Sequence, residues 1–321
     1  MAKYICGVDL GGSKLSTGIF LPDGTLIEKK VIHEHKTMNE EGIKESIVLL
    51  VKEMMKSLRI KDVDLYGIGL GVTGHINFKK GVIITSSNFS ASFTNYPLRD
   101  LIAKRFNTPV IIDNDANAQA LGELCFGSGR EYSDMVFITV STGIGSGIII
   151  DKKLIRGMTG TAGEIGHTIV DPHSDIQCTC GNYGCLMASS CGLFFPDLYR
   201  KYLAAGMKST LNLNVNTVKK LDGILLKEGL ISGDEICQKI LQDSTDIIGT
   251  GLYNLFQILN PEAFIIGGGL LNISDNYMDL IEKKFLSLVK NMMYDKVEFK
   301  TSTLGNDAGL LGAAALTLEK I

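Results

Sequence analysis

The chain lacks an excess of charge of either sign. Its 321 residues hold 32 Lys and Arg against 35 Asp and Glu, a formal net charge of −3, and the basic residues form no cluster. An electrostatic footprint for nucleic acid or an anionic membrane surface is therefore missing, and neither partner is expected. No stretch is long and apolar enough to suggest a bilayer span. The opening Met-Ala-Lys-Tyr-Ile-Cys does not have the layout of a signal peptide and runs straight into strand-like sequence. Disulfide density is missing too. Seven cysteines in a chain of this length do not make a small stapled scaffold, and three of them are spaced for metal, so a reducing cytoplasm is the expected setting. No low-complexity linker divides the chain, and its length suits about two domains.

Residues 161–191 organise what is present. Cys178, Cys180 and Cys185 stand at C-x-C-x4-C spacing, with His167 a short loop upstream. Three thiolates and an imidazole form a closed tetrahedral Cys3His set, the donor set of a structural zinc with no open position for water. Gly181 and Gly184 suit the tight turns that would aim Cys180 and Cys185 at one point. The alternative is a group of reduced, buried cysteines. Cys6, Cys125, Cys191 and Cys237 are scattered and read as small core residues.

Along the chain, an apolar run from Tyr4 to Asp9 leads into Gly11-Gly12. Strand-like segments follow over Lys14–Phe20 and Thr25–Val31, joined by the turn Pro22-Asp23-Gly24. This reads as a meander of hairpins with a glycine loop whose N–H groups can approach a phosphate. Asp9, where the first strand ends, is a natural holder of a magnesium shell, although a plain hairpin turn explains the same residues. Helical spacing of Ile43, Ile47, Leu50, Val51, Met54, Met55 and Leu58 predicts a helix over 40–58. A strand over 65–72 and a short helix over 98–106 come next. The strand Val110–Asp113 ends in Asn114-Asp115-Ala116-Asn117, and a helix over 116–126 begins there. Asp115 can be the cap of that helix or a carboxylate presented to a ligand at the carboxyl end of a strand, where open α/β sheets bind. Asn114 and Asn117 crowd the same place.

The pattern then restarts. Met135–Val140 is a strand, Ser141–Gly147 a glycine loop, and Ile148–Asp151 continues outward, which suggests a duplicated unit with a phosphate loop in each half. Further on, a helix covers 193–204. Ser232 with Glu235 fits a capping box for a helix that runs to Leu259 and is stopped by Asn260-Pro261. The strand Ala263–Gly267 opens into Gly268-Gly269, a third backbone surface for a nucleotide. A helix over 275–292, a strand over 297–303 and a final helix over 307–319 complete the chain.

Seven segments in this order resemble the ROK family (repressors, open reading frames, kinases) of the actin, hexokinase and heat-shock-chaperone superfamily. They are Asp9-Leu-Gly-Gly-Ser-Lys14, Gly69-Leu-Gly-Val-Thr-Gly74, Asn114-Asp-Ala-Asn117, Ser141-Thr-Gly-Ile-Gly145, Gly163-Glu-Ile-Gly-His167, Cys178-Thr-Cys-Gly-Asn-Tyr-Gly-Cys185 and Ile266-Gly-Gly-Gly269. The resemblance covers nearly the whole chain. It implies two ribonuclease-H-like α/β domains of the actin/hexokinase type flanking a cleft, with a structural zinc loop. The domains would be residues 1–117, with the helix over 305–321 packing back on them, and residues 118–304. The implied activity is ATP- and Mg2+-dependent transfer of a phosphoryl group to a hydroxyl, usually the 6-hydroxyl, of a hexose such as glucose or of an N-acetylhexosamine. A homodimer is the implied assembly.

Carried over residue by residue, the resemblance makes Asp115 the catalytic base and places Asn88, Asn114, Glu164 and His167 on the sugar. Asp9, Gly11, Gly12, Ser13, Lys14, Thr142 and Gly143 match the phosphate loops, and Gly267, Gly268 and Gly269 match the adenosine side. His167, Cys178, Cys180 and Cys185 match the Zn2+ ligands. Two positions depart. Met187 stands where the family has a sugar-binding glutamate, and a thioether cannot replace a charged acceptor. Thr73 stands where proline is common, and this change is expected to alter a loop and not the chemistry. A sugar-sensing protein that kept the fold and lost turnover is the rival reading, to which Met187 gives some weight. Repressors of the family carry an N-terminal helix-turn-helix, and this chain starts at its first strand, so that branch is not expected.

Overall fold

The structure is a computed structural model that describes residues 3–12, 14–86, 93–211, 213–214, 217–289 and 297–319. Its elements begin with β1 (Tyr4–Leu10), β2 (Leu15–Phe20), β3 (Leu26–Ile32), α1 (Glu40–Ser57), β4 (Leu65–Val72), β5 (His75–Asn77), β6 (Val82–Thr85), α2 (Leu98–Ala103), β7 (Val110–Asn114) and α3 (Asp115–Phe126). Then come β8 (Met135–Val140), β9 (Ile144–Ile150), β10 (Lys153–Leu154), α4 (Phe195–Ala204), α5 (Gly223–Ile231), α6 (Glu235–Leu259), β11 (Ala263–Gly267), α7 (Tyr277–Leu288), β12 (Glu298–Thr301) and α8 (Ala308–Ala315). One five-stranded sheet has the order β3-β2-β1-β4-β7 and another the order β10-β9-β8-β11-β12. The two orders are the same pattern, so the restart seen in the sequence is a repeat of topology.

The chain divides into two compact units. Residues 1–137, 147–163 and 302–321 make the first, and residues 138–146 and 164–301 make the second. The expected boundary at 117 thus falls inside the first unit. The reason is packing between α3 and α8: a Cβ on Gly122 would lie 2.9 Å from Cα of Gly312, and one on Gly312 would lie 2.5 Å from the Ala118 carbonyl oxygen. Glycines let the two helix backbones touch, which holds α3 in this unit.

In the first sheet β1, β2 and β3 are antiparallel, while β4 and β7 run parallel to β1. Ile5, Cys6, Val8 and Leu10 of β1 are all fully buried, because both faces of the sheet are covered, and this is why the strand reads as an almost continuous apolar run. On one face lies the amphipathic α1, whose Ile43, Ile47, Val51 and Met54 join Val8, Leu10, Ile68 and Leu70 in one core. On the other lies α8. A Cβ on Gly69 would come 1.7 Å from the Ala313 carbonyl oxygen, and one on Gly7 would come 2.3 Å from that of Leu310. The small-residue sequence of α8 and the bare sheet positions beneath it answer one another.

In the second unit Phe256, Phe264, Phe285 and Phe299 form a chain of edge-to-face and tilted rings 5.1–5.9 Å apart, joining α6, α7, β11 and β12. The expected cap of α6 is corrected. Asp234, not Ser232, accepts the Cys237 N–H as N-cap, while Ser232 ends α5 and donates to the Gly229 carbonyl. The sequence reading had passed over α5, whose apolar and polar residues show little helical segregation. Helix α7 starts two residues later than expected, and part of the 275–292 segment lies outside the described residues.

A buried ion network ties the first unit together. Asp113 is fully buried in β7. Its Oδ1 accepts the Asn114 N–H at 2.7 Å and Nδ2 of Asn117 at 3.0 Å, and its Oδ2 accepts Nε of Arg156 at 2.5 Å. The same guanidinium grips Glu319 with two nitrogens and lies over the Phe78 ring, 4.6 Å from its centroid. Burial pushes the Asp113 pKa up, and the Arg156 charge opposes that push. Arg156→Leu is expected to cost about 3 kcal/mol in urea unfolding by leaving a buried carboxylate uncompensated. Adding Asp113→Asn to it should recover more than half of the loss. A single variant within about 0.5 kcal/mol of the parent shows that the network carries no stability.

Candidate functional site

The catalytic candidates of the first unit stand where β1, β4 and β7 end. Parallel pairing sets Asp9 beside Gly71 and Val72 beside Asn114, so three strand ends finish together, as an α/β binding edge requires. Asn114 is the N-cap of α3. Its Oδ1 accepts the N–H groups of Ala116 and Asn117, and its Nδ2 donates to the Gly74 carbonyl at 3.0 Å. Asp115, which the sequence left open as a cap, is therefore relieved of that duty. Asn114, in turn, has its amide engaged by backbone on both sides.

The Asp115 carboxylate is oriented by two donors. Oδ1 accepts the Ala116 N–H at 3.0 Å, and Oδ2 accepts the Thr73 hydroxyl at 2.8 Å. Burial raises its pKa, and the Thr73 hydroxyl and the Ala116 N–H work in the opposite direction. Asp9, its carboxylate against Gly309 of α8, has its pKa raised to about 6. Burial is the main cause and the Asp115 charge the next, with Lys14 and Lys29 opposing both. A buried carboxylate at a strand end, with the charge of Asp115 bearing on it, makes Asp9 the candidate holder of a cation.

Thr73 is a correction to the sequence reading. It was expected to alter only a loop, yet its side chain touches the candidate base. Asn117 is another: it is 2 % exposed and donates to Asp113, so it braces the turn from below and does not add to a crowd at a ligand. Of the first glycine loop, the Gly11 N–H donates to the Lys14 carbonyl, the Gly11 carbonyl meets Nε2 of His35 at 2.8 Å, and Gly12 is half-buried. Ser13 and Asn88 lie outside the described residues.

In the second unit the glycine loop after β8 is drawn tight by the Ser141 N–H donating to Gly143, and it is pinned by Gly192 and Leu193 N–H groups donating to Ser141 and Thr142. Gly268 has φ 102°, and a Cβ there would sit 2.2 Å from the Val140 carbonyl oxygen, so the turn after β11 can close on β8 only with glycine. A cavity of about 580 Å³ opens beside these loops. Thr142, Gly269, Leu193, Lys219, Asp222 and Lys227 are among its lining residues. Its size suits a nucleoside, and the expected Thr142 and Gly269 meet in it. Gly143, Gly267 and Gly268 are not on its wall. The two lysines and Asp222 were missed, because they come from the short turn before α5, the cap of α5 and α5 itself, which carry no motif.

The metal candidates do converge. Single donor atoms of His167, Cys178, Cys180 and Cys185 all lie within 4.8 Å of one another. Cys178 Sγ is 3.5 Å from His167 Nδ1, and Cys180 Sγ is 3.6 Å from Cys185 Sγ. Zinc bonds of about 2.3 Å to sulfur and about 2.0 Å to nitrogen put tetrahedral neighbours about 3.5–3.8 Å apart, so the four donors fit that ion. The sulfurs are far too distant for a disulfide. Gly181 and Gly184 turn the loop with φ of 90° and 74°. The Cys3His loop is anchored on α6, where Gly251 makes room for Leu186. His167 and Glu164 share one short turn, and both are half-buried. Met187, 8 % exposed, lies close to the second glycine loop: a Cβ on Gly143 would be 3.8 Å from its Cε.

A model of the ROK family matches residues 5–320. A glucokinase of Thermotoga maritima is 33 % identical over 99 % of this chain and 98 % of its own length. A xylose repressor of Caldicellulosiruptor bescii is 29 % identical over 98 % of this chain and 78 % of its own. Among solved structures, a ROK family glucokinase from Streptomyces griseus in complex with glucose and AMPPNP has a TM-score of 0.79 at 30 % identity, with 98 % of each chain covered.

Proposed function

This chain belongs to the ROK family, and we propose that it moves the γ-phosphoryl group of ATP to the 6-hydroxyl of a hexose or an N-acetylhexosamine, with Asp115 as the base. A glucokinase relative, and a solved ROK family glucokinase in complex with glucose and AMPPNP, match this chain over nearly its full length and support an ATP-dependent sugar kinase. The single observation that supports Asp115 most is its release from helix capping. Asn114 takes the free N–H groups of α3, and the Asp115 carboxylate, held by Thr73 and Ala116, is left with lone pairs for a substrate proton.

Phosphoryl transfer asks the protein mainly to position groups and to stabilise charge. In this reading Asp115 accepts the proton of the attacking hydroxyl as the bond to phosphorus forms. Burial raises its pKa, and the hydrogen bonds from Thr73 and Ala116 keep the proton-accepting anion in reach. The sugar contacts of Asn88 and Asn114 in the first unit, and of Glu164 and His167 in the second, are assigned from the resemblance. By the resemblance the first glycine loop and Thr142-Gly143 take the phosphates, each in its own unit, and Gly267–Gly269 with the cavity lined by Lys219 and Lys227 take the nucleoside end. A magnesium ion held near Asp9 would screen the charge of the transferred group and offset the push of the Asp115 charge on Asp9. We assign the Cys3His cluster to a structural zinc that fixes the His167 ring through Nδ1 and leaves Nε2 for a ligand. Met187 offers no acceptor to a sugar hydroxyl, so selectivity at the anomeric end is expected to be slack. The cytoplasm, where ATP is available, is the setting this activity requires.

Asp115→Asn should abolish turnover by about a thousandfold or more while glucose or another accepted sugar binds within a few-fold of the parent. Calorimetry for binding and ADP release across a panel of hexoses and N-acetylhexosamines test this. Turnover within a few-fold of the parent would rule Asp115 out as the base, and a parent that binds sugar yet releases no ADP with any of them would favour the sensing reading.

The zinc assignment has its own test. Metal analysis of freshly purified protein should find about one zinc per chain, and Cys180→Ser should lose it. That variant should weaken sugar binding and raise proteolytic cleavage within 164–187 before the remainder unfolds. Protein that is fully folded, active and free of zinc contradicts it.

A further inference from the structure

The turn after β4 is fixed in three ways. The Thr73 N–H donates to the Leu10 carbonyl at 3.1 Å. The Thr73 carbonyl accepts the Ser86 hydroxyl at 2.7 Å. The next carbonyl, of Gly74, accepts Nδ2 of Asn114. Gly74 itself has φ 134°, and a Cβ there would meet the Thr85 carbonyl oxygen at 2.6 Å, so the backbone at this point has little freedom. A hydroxyl mounted on such a turn has a defined position, and that position is 2.8 Å from Oδ2 of Asp115. The anchor at Leu10 also follows directly on Asp9, so one residue is bonded both to the strand that carries Asp9 and to the carboxylate of Asp115.

We propose that Thr73 is a positioning residue for the base, its hydroxyl locking the Asp115 carboxylate and favouring the ionised, proton-accepting form. This inference rests on Asp115 being the base. A hydroxyl donates most strongly to an anion; a proton on Oδ2 would need the Thr73 hydroxyl to turn round and accept, and a proton on Oδ1 would weaken the bond from the Ala116 N–H. With Oδ1 on the Ala116 N–H and Oδ2 on Thr73, rotation about the Cβ–Cγ bond would break two hydrogen bonds. The carboxylate therefore waits in one orientation, and the reorganisation that a free carboxylate needs at the moment of proton transfer is avoided. The bond also offsets part of the burial that pushes the Asp115 pKa up.

The other charges facing Asp115 do not supply this. The charge of Asp115 bears on Asp9 at the end of β1, Lys14 and Lys29 act on Asp9, Lys29 also pairs with Asp307, and Asp113 is already engaged by Arg156. The neutral groups that favour the anion are the Ala116 N–H, the Asn114 side chain and the Thr73 hydroxyl, which is first among them and sits on Oδ2.

The test uses full-length protein with Thr73→Val, which keeps the shape and removes the hydroxyl, and Thr73→Ser, which keeps the hydroxyl. Aspartate side-chain carbons are labelled with carbon-13, the Asp115 signal is assigned with Asp115→Asn, and its midpoint is followed by NMR titration without any sugar. Thr73→Val should raise that midpoint by about one pH unit, the worth of a hydrogen bond to a charged group, and Thr73→Ser should leave it close to the parent. With ATP, magnesium and the sugar turned over fastest, Thr73→Val should lower plateau kcat about tenfold, move the acidic limb of kcat upward by the same interval, and leave the sugar KM within twofold; Thr73→Ser should restore all three. If Thr73→Val does not fold, Thr73→Ala takes its place. An unmoved midpoint, or a serine variant as impaired as the valine one, overturns the proposal. Full turnover in Asp115→Asn overturns the base assignment instead, and the NMR midpoint then still decides whether the Thr73 bond favours the anion.

Discussion

One fully buried carboxylate, Asp113, sets the geometry of the proposed catalytic corner. Taking its charge out of water is costly, and the structure answers with an N–H from Asn114, an amide from Asn117 and the Arg156 guanidinium. Each of these partners does further work by being held. Asn114 is oriented to cap α3, Asn117 is pinned in the first turn of that helix, and Arg156 draws in Glu319 near the end of the chain. The turn between β7 and α3 is rigid because a buried charge would be stranded if it moved. Asp115 sits on that turn, between two residues that Asp113 holds in place. A carboxylate two residues on from a buried one is thus held in place while Asn114 takes the capping of α3.

The second constraint is close approach. Helix α8 lies directly on β1 and β4 because Gly7 and Gly69 present no side chain to it, and α3 lies on α8 through Gly122 and Gly312. A layer of side chains is missing at these places, so the last helix, the first strands and the helix that begins at Asp115 form one body. Substitutions at those glycines would push backbones apart, and the effect would reach Asp9 through Gly309 and Asp115 through α3. Stability and site geometry are here the same property.

How much of this the sequence revealed depends on how local each feature is. The Cys3His cluster was legible because its spacing is itself the chemistry, within one short loop. The doubled sheet was legible because strand, glycine loop and strand recur in order. The role of the Asn114-Asp115 pair was not decided, since both residue types cap helices and only the hydrogen bonds say which one does. Thr73 was misjudged: the partner of its hydroxyl is 42 residues away, and a single changed residue at a turn reads as a loop variation. Arg156, Lys219 and Lys227 were passed over for the same reason, as charged residues without a motif whose partners or cavity come from other segments. The cap at Ser232 failed by two residues because Asp234 offers an equally good capping oxygen closer to the helix.

The account turns on phosphoryl transfer from ATP to a sugar hydroxyl, and phosphorus-31 NMR of the reaction mixture tests that most directly. Protein incubated with ATP, magnesium and glucose, or with the sugar that gives the fastest ADP release, should convert the γ-phosphate signal into that of a sugar phosphate ester whose phosphorus couples to the two hydrogens on carbon 6, in equal amount with ADP. Inorganic phosphate with ADP and no ester, or an ester on another carbon, would contradict the account.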